Sequence, residues 1–287
     1  MITNDSYKAH EDHIKRVSAG LEAGGADYSL FQEGTVGHFI HQQFWQLTQP
    51  LIQPGTSVLT VGDLYGADAA YFLRQRCEAV ASDLTDSILE RVKEAGLIRQ
   101  YSVENVEKLS FADNSFDYVF CKEAYHHFPR PAIGFYEMLR VCREAVVIQE
   151  PVDPVIQMPI LLFIRNILDR IDTGLLRKIW KNQYSFEVVG NYVHKISIRE
   201  FEKMACSLGL PMMAYKGFNP GNVGAAATIE KQQRKIQIRN LLTATTLVPP
   251  EAYSVVIFKK TPTSGVLQKL EEQGYKLLRF PPNPYLR

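Results

Sequence analysis

The middle of the chain is written as short apolar runs separated by amphipathic stretches. Residues Ser57–Val61 form such a run, with the length and β-branched content of a strand buried on both faces. Runs at 79–82, 101–103, 116–121, 145–149, 212–215 and 253–258 read the same way. Between them, three- and four-residue apolar spacing predicts helices. One holds Phe39, Ile40, Phe44, Trp45 and Leu47 and ends before Pro50. Others cover 85–95, begun by Thr85 or Asp86 and ended by Gly96, and 131–141. A further helix, 197–208, opens on a capping box of Ser197 and Glu200, and another spans 228–242. Alternating strands and helices predict an α/β fold with a parallel sheet covered on both faces.

From 152 to 195 the pattern changes. An apolar helix at 158–171 and a more basic one at 175–180 precede Tyr184, Phe186, Tyr192 and His194. The stretch is too long for a routine connection, which predicts a functional segment or an interface. Residues 1–30 are polar and interrupted by Gly20, Gly24 and Gly25, which predicts partial mobility. Pro281, Pro282 and Pro284 predict an irregular surface tail over 261–287.

The first strand runs into a turn bearing Gly62 and Gly66, with Asp68 placed to cap the helix that follows. Such a junction binds nucleotide-like ligands at the carboxyl end of a parallel sheet. Asp83 lies 21 residues beyond Gly62 at the end of the second strand, where an acid accepts from a ribose diol. An ordinary strand-to-helix turn would share the two glycines.

Composition narrows the reading. The chain is 46% hydrophobic and 22% charged, and its formal charge of +1 gives no global attraction to nucleic acid or membrane. No secretory signal is read at the N-terminus, and the longest apolar run, 159–164, is far short of the ~20 residues of a membrane span. Cys77, Cys121, Cys142 and Cys206 form no paired motif and read as reduced core residues. A cytoplasmic protein without nucleic-acid or membrane partners is expected. The basic helix at 228–242, with Lys231, Arg234, Lys235 and Arg239, reads as a solvated face before a phosphate site. His38 and His41 read as surface or core residues before catalytic ones.

A family comes into view at the fourth strand. EKLSFADNSFDYV at 107–119 resembles the block LPF-acid-x-SFD-x-V of class I S-adenosylmethionine-dependent methyltransferases, nearest to the small-molecule branch that includes quinone-biosynthesis enzymes. Tyr125-His126-His127-Phe128, with Pro129 and Pro131, resembles that branch's loop after strand four, and Glu137-Met138-Leu139-Arg140-Val141 its next helix. The resemblance implies a Rossmann-like sheet of seven mostly parallel strands, the last antiparallel, with a helical insertion after strand five. It implies a domain over 50–260, with 152–195 as substrate lid or dimer contact and 1–49 covering the cofactor site.

Carried onto this chain, the resemblance places Gly62, Asp63 and Gly66 beside the methionine part of S-adenosylmethionine. It places Asp83 on the ribose, Asn105 and Val106 at the adenine, and Cys121, Lys122 and Glu123 near the reactive end. Tyr125 and His126 would face the transferred methyl. Two positions depart from the pattern: Thr60 replaces an acid and Leu64 a glycine, and Asp63 is the residue placed to compensate for the lost carboxylate.

Methyl transfer from a sulfonium asks the protein to bind, align and exclude water. An oxygen nucleophile also needs a base, and His126 or His127 fits, since histidine titrates near neutrality. On an extended stretch the two would point opposite ways, so one would serve. Neighbouring histidines alone cannot chelate one ion, so no metal is expected. Glu150, Tyr184, Tyr192 and His194 are the candidates for holding a small-molecule acceptor, such as a sugar or glycan precursor. Whether oxygen, nitrogen or carbon is methylated stays open. The rival readings are a fold that has lost its chemistry and binds a partner, motivated by Thr60 and Leu64, and a nucleotide-dependent oxidoreductase.

Overall fold

Strand β1 (Ser57–Val61) is the hub of an eight-stranded sheet ordered β3-β2-β1-β4-β5-β7-β6-β8. The other strands are β2 (Glu78–Asp83), β3 (Gln100–Val103), β4 (Phe116–Lys122), β5 (Cys142–Pro151), β6 (Met212–Phe218), β7 (Ala252–Phe258) and β8 (Lys276–Arg279). The pairings among β1 to β5 are parallel, and β7 runs antiparallel to both β5 and β6. This is the mostly parallel Rossmann-like architecture expected. The computed structural model describes residues 12, 15, 28–153, 158–171, 174, 186, 192–221, 228–246, 248–282 and 284–285. The expected helix at 175–180, Tyr184 and most of 1–27 lie outside the described residues.

The helices are α1 (Val36–Trp45), α2 (Ala67–Arg74), α3 (Leu89–Glu94), α4 (Pro131–Val141), α5 (Pro159–Ile171), α6 (Ile198–Ser207), α7 (Ile229–Ala244) and α8 (Ser264–Glu272). Alternate residues of each strand enter opposite layers. Val58, Phe120, Val147 and Val256 join one layer with Phe72 of α2 and Leu270 of α8. Leu59, Val119, Val146 and Val255 join the other with Phe135 of α4 and Phe201 of α6. Both faces are thus covered, which is why the strands read as unbroken apolar runs.

Three local expectations need correction. The segment 261–287 is not an irregular tail: Thr263 caps α8, and β8 adds an eighth strand, antiparallel to β6. Its Leu277 and Leu278 pack into opposite layers, a period too short to register in four residues between charged ends. Tyr275 Oη also donates to the Leu47 carbonyl at 3.0 Å, so this segment holds down the chain just after α1. Second, α3 starts at Leu89 rather than near Thr85, with Ile88 at its N-cap position. Third, Cys77, Cys121 and Cys142 are buried and unpaired, but Cys206 is exposed. It sits off the face of α6 that buries Phe201 and Ala205.

Candidate active site at the carboxyl ends of β1, β2, β4 and β5

The turn after β1 depends on its glycines. Gly62 has φ +70°, and a Cβ there would lie 2.3 Å from the Ala124 Cβ in the loop after β4. Gly66, at φ +66°, is the N-cap of α2. Asp68 therefore lies inside the first turn instead of capping it. Asp63 does the capping: its carboxylate accepts from the Asp68 amide at 3.3 Å and the Ala69 amide at 2.9 Å. Thr60 Oγ1 donates to the same carboxylate at 2.9 Å. Burial, then the Asp68 charge, pushes the Asp63 carboxyl up to about 7, against the donors that favour its charged form. Leu64 and Tyr65, half-buried, pack against the core.

Asp68 has a different set of partners. Trp45 Nε1 donates to its Oδ1 at 2.7 Å, and Lys122 Nζ, at the end of β4, lies 3.2 Å from the same oxygen. Lys122 Nζ also donates to His41 Nδ1 at 2.9 Å and sits 5.6 Å from the Phe44 ring centroid. Burial works against the Lys122 ammonium, but Asp68, Glu123 and Asp63 outweigh it and hold its pKa above the usual lysine range. His41 is pushed well below its ordinary range by burial, then by Lys122 and His38, which keeps it neutral and able to accept. The structure thus joins Lys122 directly to His41 and, through Asp68, to Trp45 on α1, residues 81 and 77 positions away that no sequence motif links to it.

Asp83 ends β2, buried, and its Oδ1 has no hydrogen-bond partner among the described residues. Burial raises its carboxyl to about 6 despite the amides of Leu84 and Thr85. Beyond β3, Asn105 Oδ1 accepts from the Glu107 amide at 2.9 Å and so shapes its own turn, while Val106 is buried. Cys121 is fully buried among apolar neighbours, and burial drives its thiol pKa far up. Glu123 is exposed in the left-handed region at φ +50°.

A second cluster forms past β4. Residues Tyr125–His127 make a 3-10 turn, not an extended stretch, so the two histidine rings do not diverge; their centroids are 3.9 Å apart. His126 Nδ1 is hydrogen-bonded to Glu150 Oε2, a close contact between buried side chains. The other oxygen of Glu150 accepts from the Ala124 and Tyr125 amides, both at 2.7 Å. Glu150 is fully buried at the end of β5, so it is fixed from three sides. The His194 amide donates to the His126 carbonyl at 3.0 Å, which brings the 192–196 stretch against this turn. His194 Nε2 lies 3.6 Å from Glu200 Oε1, and its ring meets those of Tyr125 and Tyr192. Tyr125 is fully buried, with an Oη that lacks a hydrogen-bond partner among the described residues. The pair expected at the methyl, Tyr125 and His126, therefore lies together with Glu150, Tyr192 and His194 from the acceptor candidates.

The basic helix α7 is held by pairing. Lys235 and Arg239 both lie 3.4 Å from Glu251. Lys231 and Arg234 are exposed.

With this geometry in hand, the chain can be set beside known proteins. Residues 59–148 match the family model described as "Methyltransferase domain". The match runs from within β1 into β5 and takes in the glycine turn, Asp83 and the 125–127 turn. A S-adenosylmethionine-dependent methyltransferase of Archaeoglobus fulgidus superposes with a TM-score of 0.52 at 14% identity, covering 81% of this chain and 100% of that one. The Haloferax volcanii protein solved in complex with the Trm112 methyltransferase activator gives 0.53 at 12% identity, covering 89% and 98%. At such identities these structures show the fold. No curated protein is significantly similar in sequence. Residues 59–148 thus carry a methyltransferase domain, similar to that of the class I S-adenosylmethionine-dependent methyltransferases. The chain is an enzyme of methyl transfer, with S-adenosylmethionine as its cofactor.

The residues present fit that cofactor. Asp83 offers a buried carboxylate oxygen in need of a donor, which ribose hydroxyls would supply. Gly62 leaves bare backbone where β1 turns.

Proposed function

We propose that this enzyme methylates a hydroxyl of a small-molecule acceptor, with His126 as the base and Glu150 as the residue that positions it. The single observation that carries the reading is the His126–Glu150 bond, anchored by two backbone amides. A carboxylate accepting from Nδ1–H selects the tautomer whose Nε2 is basic, and it stabilises the imidazolium formed on proton uptake. Nitrogen and carbon acceptors have less use for such a buried dyad. A sugar or glycan precursor is one acceptor class with suitable hydroxyls.

Gly62, Gly66 and Asp83 would hold the cofactor, which when bound supplies the activated methyl group. Asp63 contributes through the fold of the turn, as the cap of α2. Lys122, Asp68 and His41 fix α1 against the carboxyl end of β4, so the described part of the 1–49 segment covers this end of the sheet. Tyr192 and His194 would border the acceptor, and the 152–195 insertion would shield it from water.

The test has two stages. Equilibrium binding of S-adenosylhomocysteine comes first, and failure to bind at millimolar concentration overturns cofactor use. A panel of hydroxyl, amine and carbon acceptors follows. Transfer confined to hydroxyl acceptors, and lost in His126→Ala, supports the base; transfer to amines that survives His126→Ala overturns it.

A further inference from the structure

Helix α5 (Pro159–Ile171) buries none of its residues. Ile160, Phe163, Ile164, Ile167 and Ile171 are 71%, 65%, 42%, 41% and 72% exposed. At 3.6 residues per turn these five fall within an arc of roughly 100°, a continuous apolar face. Leu161 and Leu168 widen the arc on one side, with Arg165 beyond them. Arg170 borders its other edge. Isolated apolar residues on a surface are ordinary, but a rimmed contiguous face of this kind marks an interaction site.

The charge around that face selects its occupant. Of the three charged residues of α5, Arg165 and Arg170 stand on the two sides of the apolar arc, while Asp169 falls on the opposite side of the helix. Two copies meeting through α5 would bring like-charged flanks together. An anionic surface would neutralise them while taking up the apolar face. Arginines at the borders of the arc can bury their methylene stems and keep their charge at headgroup level. At 13 residues the helix is too short for the ~20 of a membrane span, and no helix among the described residues is long and apolar enough to cross a membrane.

We propose that α5 is a lipid-surface anchor that lies in the interface of an anionic bilayer, independently of which acceptor the enzyme methylates. The experiment is flotation of the full-length protein with two sets of vesicles, phosphatidylcholine alone and phosphatidylcholine mixed with phosphatidylglycerol. The protein is expected to float with the mixed vesicles at least about tenfold more strongly, with binding that weakens as salt rises. Phe163→Glu with Ile167→Glu is expected to abolish flotation, and Arg165→Glu with Arg170→Glu to abolish the preference for anionic vesicles. All four side chains lie outside the core, so an unchanged thermal midpoint separates lost docking from lost folding. The proposal is overturned if the parent protein floats with neither vesicle. It is equally overturned if the apolar face instead drives a concentration-dependent dimer in sedimentation velocity, dissolved by the same double substitution, with no flotation.

Discussion

The two sides of the β4 carboxyl end use buried carboxylates in opposite ways. On the β1 side, Asp63 and Asp68 meet Lys122, Trp45, Thr60 and the amides of α2, and every contact ties one element to another. On the β5 side, Glu150 takes two amides from the 124–125 backbone and gives its remaining oxygen to a single histidine. The first arrangement neutralises charge to fix a shape. The second immobilises a carboxylate so that one titratable ring is oriented. The partner set, more than burial, separates a structural acid from a positioning one.

The largest effect that would break this comparison lies on the β5 side. His126→Ala is expected to lower kcat by about 10²–10⁴-fold while leaving S-adenosylhomocysteine affinity unchanged. Glu150→Gln keeps an oxygen for the Ala124 and Tyr125 amides but sets an amide NH₂ against Nδ1, which favours the wrong tautomer. It should lose most of the same rate and shift the acid limb of the pH–rate profile to lower pH, because the carboxylate no longer favours the imidazolium. A Glu150→Gln enzyme with the parent's kcat and pH profile would return Glu150 to a purely structural role.

On the β1 side the readout is stability. Lys122→Met leaves Asp68 buried beside Asp63 without its cation, so a loss of about 3–5 kcal/mol is expected in urea unfolding. Adding Asp68→Asn should recover much of that loss, because the uncompensated charge goes with it. If Lys122→Met costs nothing, the network is not what fixes α1. Gly62→Ala is expected to cost about 1–3 kcal/mol through its clash with Ala124. A Gly62→Ala, Ala124→Gly double variant should regain the packing part and keep the penalty of a positive φ.

The same contrast explains what could be read from the sequence. The strand order around β1 follows from apolar runs and short connections, and Gly62, Gly66 and Asp83 sit at spacings set by one strand–helix–strand unit. Helix α4 matches its predicted 131–141 span because Pro131 opens it and its apolar spacing is regular. His126 and Glu150 were each visible as candidates, but the bond between them crosses 24 residues and depends on the parallel register of β4 with β5. The partners of Lys122 were less legible still. His41 and Trp45 sit on a helix whose apolar spacing predicts packing and not which charge it meets. The cap expected at Asp68 fails for a local reason: Gly66, at φ +66°, is the N-cap, so α2 starts two residues earlier than a cap at Asp68 would place it.

The smallest effect concerns Asp83, which belongs to neither pattern, being a buried carboxylate with one oxygen that has no hydrogen-bond partner among the described residues. Its carboxyl is raised from an ordinary value of 3.8 to about 6, chiefly by burial. A folded-state value above the unfolded one means that its contribution to stability is full below about 3.8 and is lost as pH rises through about 6. In cofactor-free protein, Asp83→Asn should therefore gain in thermal midpoint relative to the parent as pH rises across that window. Ribose hydroxyls donate to the charged form, so parent affinity for S-adenosylhomocysteine should tighten over the same window, whereas Asp83→Asn should bind roughly tenfold more weakly at neutral pH and show no such dependence. Titration calorimetry at several pH values checks both. A pH-independent parent affinity, equal to that of the variant, would remove Asp83 from the cofactor site and leave its carboxyl a purely structural charge.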